Sequence, residues 1–86
     1  MDAVTGTIRV RFFARYADLV GCEETALAVT LPSTVADLVR RLRTELPGGQ
    51  EIPERPLTAL NLKHVRLDAV LHDGDELALL PPIAGG

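Results

Sequence analysis

Residues 76–86, ELALLPPIAGG, indicate how the chain is organised, because an apolar strand pattern is followed directly by two prolines and a Gly-Gly end. Glu76 to Leu80 is apolar at nearly every position, which is typical of a central strand covered on both faces. Pro81 and Pro82 cannot donate backbone hydrogen bonds, so they should end the strand and hold the departing chain extended. We therefore predict a folded domain over residues 1–80 and an extended tail over residues 81–86.

Upstream of this stretch, apolar periodicity predicts two further strands joined by a short helix. Residues 7–14 (TIRVRFFA) and 24–31 (ETALAVTL) alternate apolar and polar positions, which is the period of a half-buried strand. Residues 15–20 (RYADLV) carry apolar side chains at helical spacing, and Gly21 is suited to a left-handed cap. This part of the chain should fold as strand, helical turn and strand.

The main helix is predicted to follow Pro32 and to end before Pro47. Thr34 with Asp37 three residues later resembles a capping box. The apolar stripe of this helix recurs every three or four residues. Its members are Val35, Leu38, Val39, Leu42 and Leu46.

The second half of the chain reads as a loop followed by short strands. Residues 48–56 (GGQEIPERP) mix turn formers with charges and predict an exposed loop. Short β-like stretches follow at 58–62 and 64–67, and Asp73-Gly74 marks a turn before the last strand. One long helix packed across a mixed sheet is the α+β arrangement that this order favours.

Composition excludes several classes of function. The chain has 86 residues, a net charge of −3 and 3% aromatic residues, which argues against nucleic acid as a partner because phosphates need a basic surface. No apolar run is long enough to span a membrane, and residues 1–11 do not have the pattern of a signal peptide. The single Cys22 cannot form an intramolecular disulfide, which fits a reducing compartment. We expect a cytoplasmic protein.

The tail residues become smaller toward the end of the chain, from Ile83 and Ala84 to Gly85 and Gly86. Such a tail suits a narrow channel, because only glycine lets a backbone pass within contact distance of the channel walls. A terminal carboxylate can also be activated by adenylation and then attacked by sulfur or nitrogen. A frayed terminus is the plain alternative.

Three stretches, in this order, carry a resemblance: RVRFFARYADLVG at 9–21, ALNLKHV at 59–65 and DGDELALLPPIAGG at 73–86. Together they resemble the small subunits of molybdopterin synthase, within the wider family of ubiquitin-like sulfur carriers. The resemblance runs from Thr7 to Gly86, with 48–56 as its variable part. It implies the β-grasp fold, which agrees with the order of elements above.

The resemblance implies a carrier without catalytic residues of its own. An adenylating, E1-like activating enzyme would use ATP to form an acyl adenylate on Gly86, and a sulfur donor protein would convert it to a thiocarboxylate. The arm formed by residues 81–85 would then enter the large subunit of the synthase. There the sulfur is transferred to a pterin precursor, which builds the dithiolene of the molybdenum cofactor. No tightly bound cofactor is implied.

The resemblance also implies a partner interface. Phe13 and Leu80 match positions where the family is apolar and meets its partners, although core packing is an equal explanation for Leu80. His64 is assigned to the same interface. It departs from the family pattern, since the corresponding position in relatives is often apolar. The arm itself comprises Pro81, Pro82, Ile83, Ala84 and Gly85.

Several alternatives stay open. The sulfur could serve thiamine, cysteine or tRNA thiolation, or the chain could be a ubiquitin-like modifier joined through Gly86 to lysines. A β-grasp interaction domain with an inert tail is the simplest reading. Cys22 is expected to be a small apolar residue, and His64 and His72 lack companions at metal-ligand spacing. The acids Asp73, Asp75 and Glu76 either steer a basic partner or serve solubility.

Overall fold

The computed structural model describes residues 4–82 and contains a five-stranded sheet, two α-helices and one 3-10 turn. The elements are β1 (Val4–Phe12), α1 (Arg15–Val20), β2 (Glu24–Leu31), α2 (Val35–Glu45), the 3-10 turn (Gly49–Glu51), β3 (Leu57–Leu60), β4 (Lys63–Val65) and β5 (Glu76–Leu80). The predicted elements are all present. β1 begins earlier than predicted because it pairs with β2 along its whole length, from Val4 opposite Leu31 to Arg11 opposite Glu24.

The strand order is β2-β1-β5-β3-β4, which places β5 in the centre of the sheet as predicted. β5 runs parallel to β1, with Phe12 opposite Leu79, and antiparallel to β3, with Leu57 opposite Leu80. The sheet is therefore mixed. Within residues 4–82, no helix is long and apolar enough to cross a membrane.

The core lies between α2 and one face of the sheet. The predicted stripe of α2 is confirmed for Val35, Leu38, Val39 and Leu42, which are all at most 1% exposed. Its last predicted member, Leu46, follows the helix as its C-cap and packs half-buried against the core. These side chains pack against inward-facing residues of the central strands. The strand residues are Ile8, Val10, Phe12, Leu77 and Leu79, each at most 3% exposed. At roughly 1.5–3 kcal/mol for each large apolar side chain, this face supplies most of the stability.

The prediction that β5 is covered on both faces is wrong. Leu77 and Leu79 are fully buried, but Ala78 and Leu80, which alternate with them, are only half-buried. The two helices lie on the same side of the sheet, so nothing within the described residues covers the other side. We call this second side the open face.

The start of α2 follows from a reciprocal pair of hydrogen bonds. The Asp37 N–H donates to Thr34 Oγ1 at 3.2 Å, and the Thr34 N–H donates to Asp37 Oδ2 at 3.0 Å. The predicted capping box is confirmed. The backbone hydrogen bond from Thr34, followed by the bond from its hydroxyl, lowers the pKa of Asp37 below its ordinary value.

The prediction that residues 48–56 form an exposed loop is wrong for its middle. Ile52 is fully buried in the core, and Gly49 is buried against the end of α2, where a Cβ would clash with the Leu42 carbonyl. Arg43 Nε donates to the Ile52 carbonyl at 2.7 Å, which ties the loop to the helix. A single apolar residue among polar ones has no periodicity, so the sequence pattern could not reveal it.

Candidate functional site

The site begins where the chain leaves β5. Leu80 is the last strand residue, Pro81 is half-buried and Pro82 is exposed, so the two prolines end the pairing as predicted. The remaining predicted arm and its reactive end, Ile83, Ala84, Gly85 and Gly86, lie outside the described residues. What the structure shows is the base of the tail, a strand paired on both sides in the middle of the sheet.

An apolar patch lies on the open face beside this exit. Leu57 is directly opposite Leu80, and Phe13 follows one residue after the pair formed by Phe12 and Leu79. Phe13 is 37% exposed and Leu57 is 47% exposed. These two residues are among the few large apolar side chains that the described chain leaves in solvent, so we name Phe13, Leu57 and Leu80 the exit patch.

Arg11 holds the ring of Phe13 on the open face. The Arg11 guanidinium lies over the Phe13 ring at 5.2 Å from its centroid, a cation–π distance. Arg11 lies opposite Ala78 in the sheet and is half-buried. Since Val10 and Phe12 point to the core, Arg11 and Phe13 share the outer side.

His64 joins the same face from the edge of the sheet. It is exposed and lies opposite Ala59, which in turn lies opposite Ala78. Small alanines therefore separate His64 from Arg11 along one row of the open face. The three predicted interface residues, Phe13, Leu80 and His64, therefore lie on the same face, with His64 two strands away from Leu80.

Sequence reasoning missed Leu57 as a member of this face. It opens a four-residue strand directly after Pro56, where no alternation has yet been established. Only its pairing with Leu80 places it in the exit patch.

The turn that contains the predicted acids lies at the opposite end of β5 from the exit patch. Its carboxylates accept hydrogen bonds from other residues of the chain. Asp73 Oδ1 accepts from the Thr7 N–H at 2.8 Å, and Asp75 Oδ2 accepts from the His72 N–H at 2.7 Å. Glu76 Oε2 accepts from Arg9 at 3.2 Å. These carboxylates order the turn before β5, a role that neither sequence alternative included.

A cleft of about 890 Å³ lies on the helix side of the molecule, away from the exit patch. α2 and the segments 54–55 and 66–68 form it, and arginines and acids alternate along its walls. Its charged residues are Asp37, Arg40, Arg43, Glu54, Arg55, Arg66 and Asp68. Because Asp37 and Arg43 already hold α2 and the loop in place, part of this charge is structural.

Comparison with known proteins identifies the family at this point. Residues 10–86 match the model of the ThiS family, which spans the exit patch and the tail to Gly86. The chain belongs to the ThiS family.

Curated relatives of this family member cover nearly its whole length. The molybdopterin synthase sulfur carrier subunit of Arabidopsis thaliana is 32% identical and covers 99% of this chain and 88% of its own. That of Escherichia coli is 37% identical over 92% of this chain and 99% of its own. Small archaeal modifier protein 3 of Haloferax volcanii is 31% identical over 92% and 98%.

Solved structures share the fold. SAMP1 from Haloferax volcanii matches with a TM-score of 0.81 and 26% identity, over 94% of this chain and all 100% of its own. A complex of subunits 1 and 2 of the molybdopterin-converting factor from Helicobacter pylori contains a chain that matches with a TM-score of 0.68 and 28% identity, over 93% and 99%. The predicted ubiquitin-like β-grasp fold is confirmed.

Proposed function

We propose that this chain is the sulfur-carrier small subunit of a molybdopterin synthase, with Gly86 as the residue that carries the sulfur. The relatives from Arabidopsis and Escherichia coli have this name, and the family match includes Gly86. The proposed subunit is not an enzyme by itself. It supplies a carboxylate and an arm, and its partners supply the catalytic groups.

The observation that carries the proposal is the base of the tail. β5 is hydrogen-bonded on both sides, ends at two prolines and leaves the sheet beside the exit patch. A partner that covers the exit patch therefore also receives residues 81–86, with little freedom at their point of attachment. A tail that is positioned in this way loses less entropy when its reacting group enters a partner's active site.

The proposed chemistry takes place on the carboxylate of Gly86. An oxygen of the carboxylate attacks the α-phosphorus of ATP in the activating enzyme, and pyrophosphate leaves. A persulfide on the donor protein then attacks the acyl carbon, and AMP leaves, which gives an acyl disulfide between Gly86 and the donor. A second thiol attacks the donor's sulfur, so that the S–S bond breaks, a disulfide forms on the donor side and the thiocarboxylate is released. In the large subunit the sulfur of the thiocarboxylate forms a bond to a carbon of the pterin precursor. Water then hydrolyses the acyl C–S bond, which leaves the sulfur on the precursor and returns Gly86 to a carboxylate.

We assign the exit patch to the large subunit. Phe13, Leu57 and Leu80 offer apolar contacts next to the tail, and Arg11 and His64 border them with polar groups. An apolar centre with a polar rim is the usual composition of a specific interface. The complex of the two subunits from Helicobacter pylori supports a large subunit as partner. The activating enzyme and the sulfur donor are further proposed partners.

The intact mass of an N-terminally tagged copy, purified from its own host and measured under native and denaturing conditions, tests this function. We expect a gain that matches oxygen replaced by sulfur, located at Gly86 by fragmentation, in a complex with a large subunit. An unmodified carboxylate without a stable partner would contradict the synthase assignment. A thiocarboxylate found with a different partner would keep the chemistry and move the sulfur to thiamine, cysteine or tRNA thiolation.

A second candidate function is conjugation to other proteins. It is favoured by the relatives named as small archaeal modifier proteins, one of which covers 92% of this chain. In this case the activated Gly86 forms an isopeptide bond with a lysine. The same mass measurement distinguishes the two, since a modifier gives adducts of higher mass with branched peptides, whereas a carrier gives only the sulfur-containing chain.

A further inference from the structure

β2 is the longer of the two edge strands and lacks the usual protection of an edge. It pairs with β1 in one continuous register over eight residues, without a bulge or a proline. The opposite edge, β4, is only three residues long and carries Lys63 and His64. A long, regular edge presents unpaired backbone groups to other chains, and proteins generally block such edges.

The backbone groups on the outer side of β2 can be identified from the neighbours of β1. The Thr7 N–H donates to Asp73 Oδ1 at 2.8 Å, and the Thr7 carbonyl accepts from the Gly74 N–H at 2.9 Å. Thr7 thus turns both groups away from β2. Two residues opposite each other in an antiparallel ladder either exchange two hydrogen bonds or point their backbone groups away from each other. Ala28, the partner of Thr7, therefore points its own N–H and carbonyl outward, away from β1.

The same orientation repeats at every second residue. The Arg9 N–H donates to the Asp75 carbonyl at 3.0 Å, so its partner Ala26 also faces outward, and the period of two adds Thr30. The outer edge thus consists of Glu24, Ala26, Ala28 and Thr30, all exposed, and its last three members are uncharged. Nothing in their side chains repels another strand.

A side chain from α2 occupies the middle of this edge. Arg41 Nη1 donates to the Ala28 carbonyl at 2.7 Å. Glu45 fixes the position of the guanidinium, since its carboxylate accepts hydrogen bonds from Arg41 Nε at 3.0 Å and from Arg41 Nη2 at 3.1 Å. Within residues 4–82 this is the one side-chain hydrogen bond to the outer edge of β2.

We propose that the outer edge of β2 is a strand-pairing surface for a second copy of this chain, and that Arg41, held by Glu45, keeps it closed. The two copies would pair antiparallel about a two-fold axis at Ala28. Ala28 would then lie opposite its own counterpart, and Ala26 opposite Thr30 of the other copy. Each of these pairs would exchange two backbone hydrogen bonds.

The side chains of this edge suit pairing with themselves. Ala26, Ala28 and Thr30 are small, so two copies can approach without a clash. Glu24 would lie opposite Pro32 of the other copy, so no like charges face each other across the junction. In the closed state the two Arg41 side chains occupy both carbonyls of the central pair, which interrupts the ladder at its middle.

The test compares Arg41→Ala with Arg40→Ala. Both remove one positive charge from α2, but Arg40 lies in an exposed pair with Asp37 and does not contact β2. Sedimentation over a range of concentrations should show that Arg41→Ala approaches twice the chain mass, whereas the unaltered chain and Arg40→Ala stay monomeric. Freeing the two blocked hydrogen bonds should tighten self-association by about tenfold or more.

Amide exchange and a second substitution locate the association. The amides of Ala26, Ala28 and Thr30 should exchange more slowly in concentrated Arg41→Ala, and adding Ala26→Lys should restore the monomer, since an edge lysine opposes pairing. Glu45→Gln, at an exposed position, provides a second route because it loosens the guanidinium without removing it.

Three results would overturn the proposal. The first is a monomeric Arg41→Ala that exchanges its β2 amides like Arg40→Ala. The second is association that survives Ala26→Lys, because the contact would then lie elsewhere. If Arg41→Ala does not fold, a monomeric Glu45→Gln with unchanged exchange in β2 would overturn it as well.

Discussion

The two faces of the sheet are formed by the same strands but differ in how deeply their side chains are buried. On β5, Leu77 and Leu79 are fully buried under α2, while Ala78 and Leu80 between them remain partly open. On β1, Val10 is fully buried and Arg11 lies on the open face with Phe13. The alternation of a strand thus separates buried from accessible side chains within a few residues. We expect substitutions at the buried positions to affect mainly stability and those on the open face to affect mainly binding to the proposed partner.

The largest effect should come from the tail. Deleting Gly86, or adding one residue after it, should abolish sulfur transfer, because the carboxylate that is activated is lost or displaced. The melting temperature should stay nearly unchanged, since a tail beyond the last strand contributes little packing. Transfer in a reconstituted system and thermal unfolding monitored by circular dichroism measure the two properties.

The control for this experiment is the unaltered chain with the same N-terminal tag. Retained transfer in either tail variant would contradict a terminal thiocarboxylate. A large fall in melting temperature would instead mean that the tail stabilises the fold.

A second prediction compares neighbouring positions on β5. Leu77→Ala should lower the free energy of unfolding by about 2–5 kcal/mol, because it leaves a cavity in the core. Leu80→Ala removes a half-buried side chain and should cost about 1 kcal/mol. Urea denaturation of both variants measures the difference. Equal losses would mean that the open face is not a separate surface.

A third prediction concerns the exit patch. Phe13→Ala and Leu57→Ala should each weaken binding to the large subunit by about tenfold or more, or ~1.4 kcal/mol, because exposed anchors of an interface lose their contacts when truncated. Stability should change little, since both residues are exposed. Calorimetric titration with the large subunit gives the affinities. Leu62→Ala is the matched control, because Leu62 is 85% exposed and lies in the turn between β3 and β4.

The smallest predicted effect concerns the start of α2. The pKa of Asp37 is lowered in the folded chain by its bond from the Thr34 backbone. The stabilisation is therefore complete above the ordinary Asp pKa of about 3.9 and is lost as the pH falls through the lowered folded value. Asp37→Asn should cost about 0.3 to 1 kcal/mol at neutral pH, a small value because the side chain is half exposed.

The measurement is urea denaturation of the unaltered chain and Asp37→Asn between pH 7 and acidic pH. The difference in unfolding free energy should shrink as the pH falls below about 4. A difference that stays constant over this range would show that the charge of Asp37 does not contribute.

The spacing of apolar residues in the sequence predicted the elements in which a regular pattern extends over several residues. The stripe of α2, the alternation of β1 and β2, and the central position of β5 all depend on patterns that extend over several residues. The capping box of Thr34 and Asp37 was equally readable because its spacing is fixed by the helix.

The features that could not be predicted depend on single contacts between distant residues. Ile52 is buried because α2 and the 3-10 turn enclose it, and Leu57 belongs to the exit patch because it pairs with Leu80. The contact between Arg41 and Ala28 joins a helix to a strand thirteen positions away. β5 carried apolar residues on both sides, which indicated burial on both faces, but one of these sides is covered by no element of the described chain.

The insertion of β5 between β1 and β3 also determines when the molecule can form during synthesis. Arg9 and Glu76, which meet across this junction, are 67 positions apart. Until β5 has left the ribosome, β1 and β3 each lack a neighbour, and the core residues Ile8 and Val10 have no Leu77 or Leu79 to pack against. Folding therefore waits for β5, and the open face is complete only once the segment that leads into residues 81–86 has emerged.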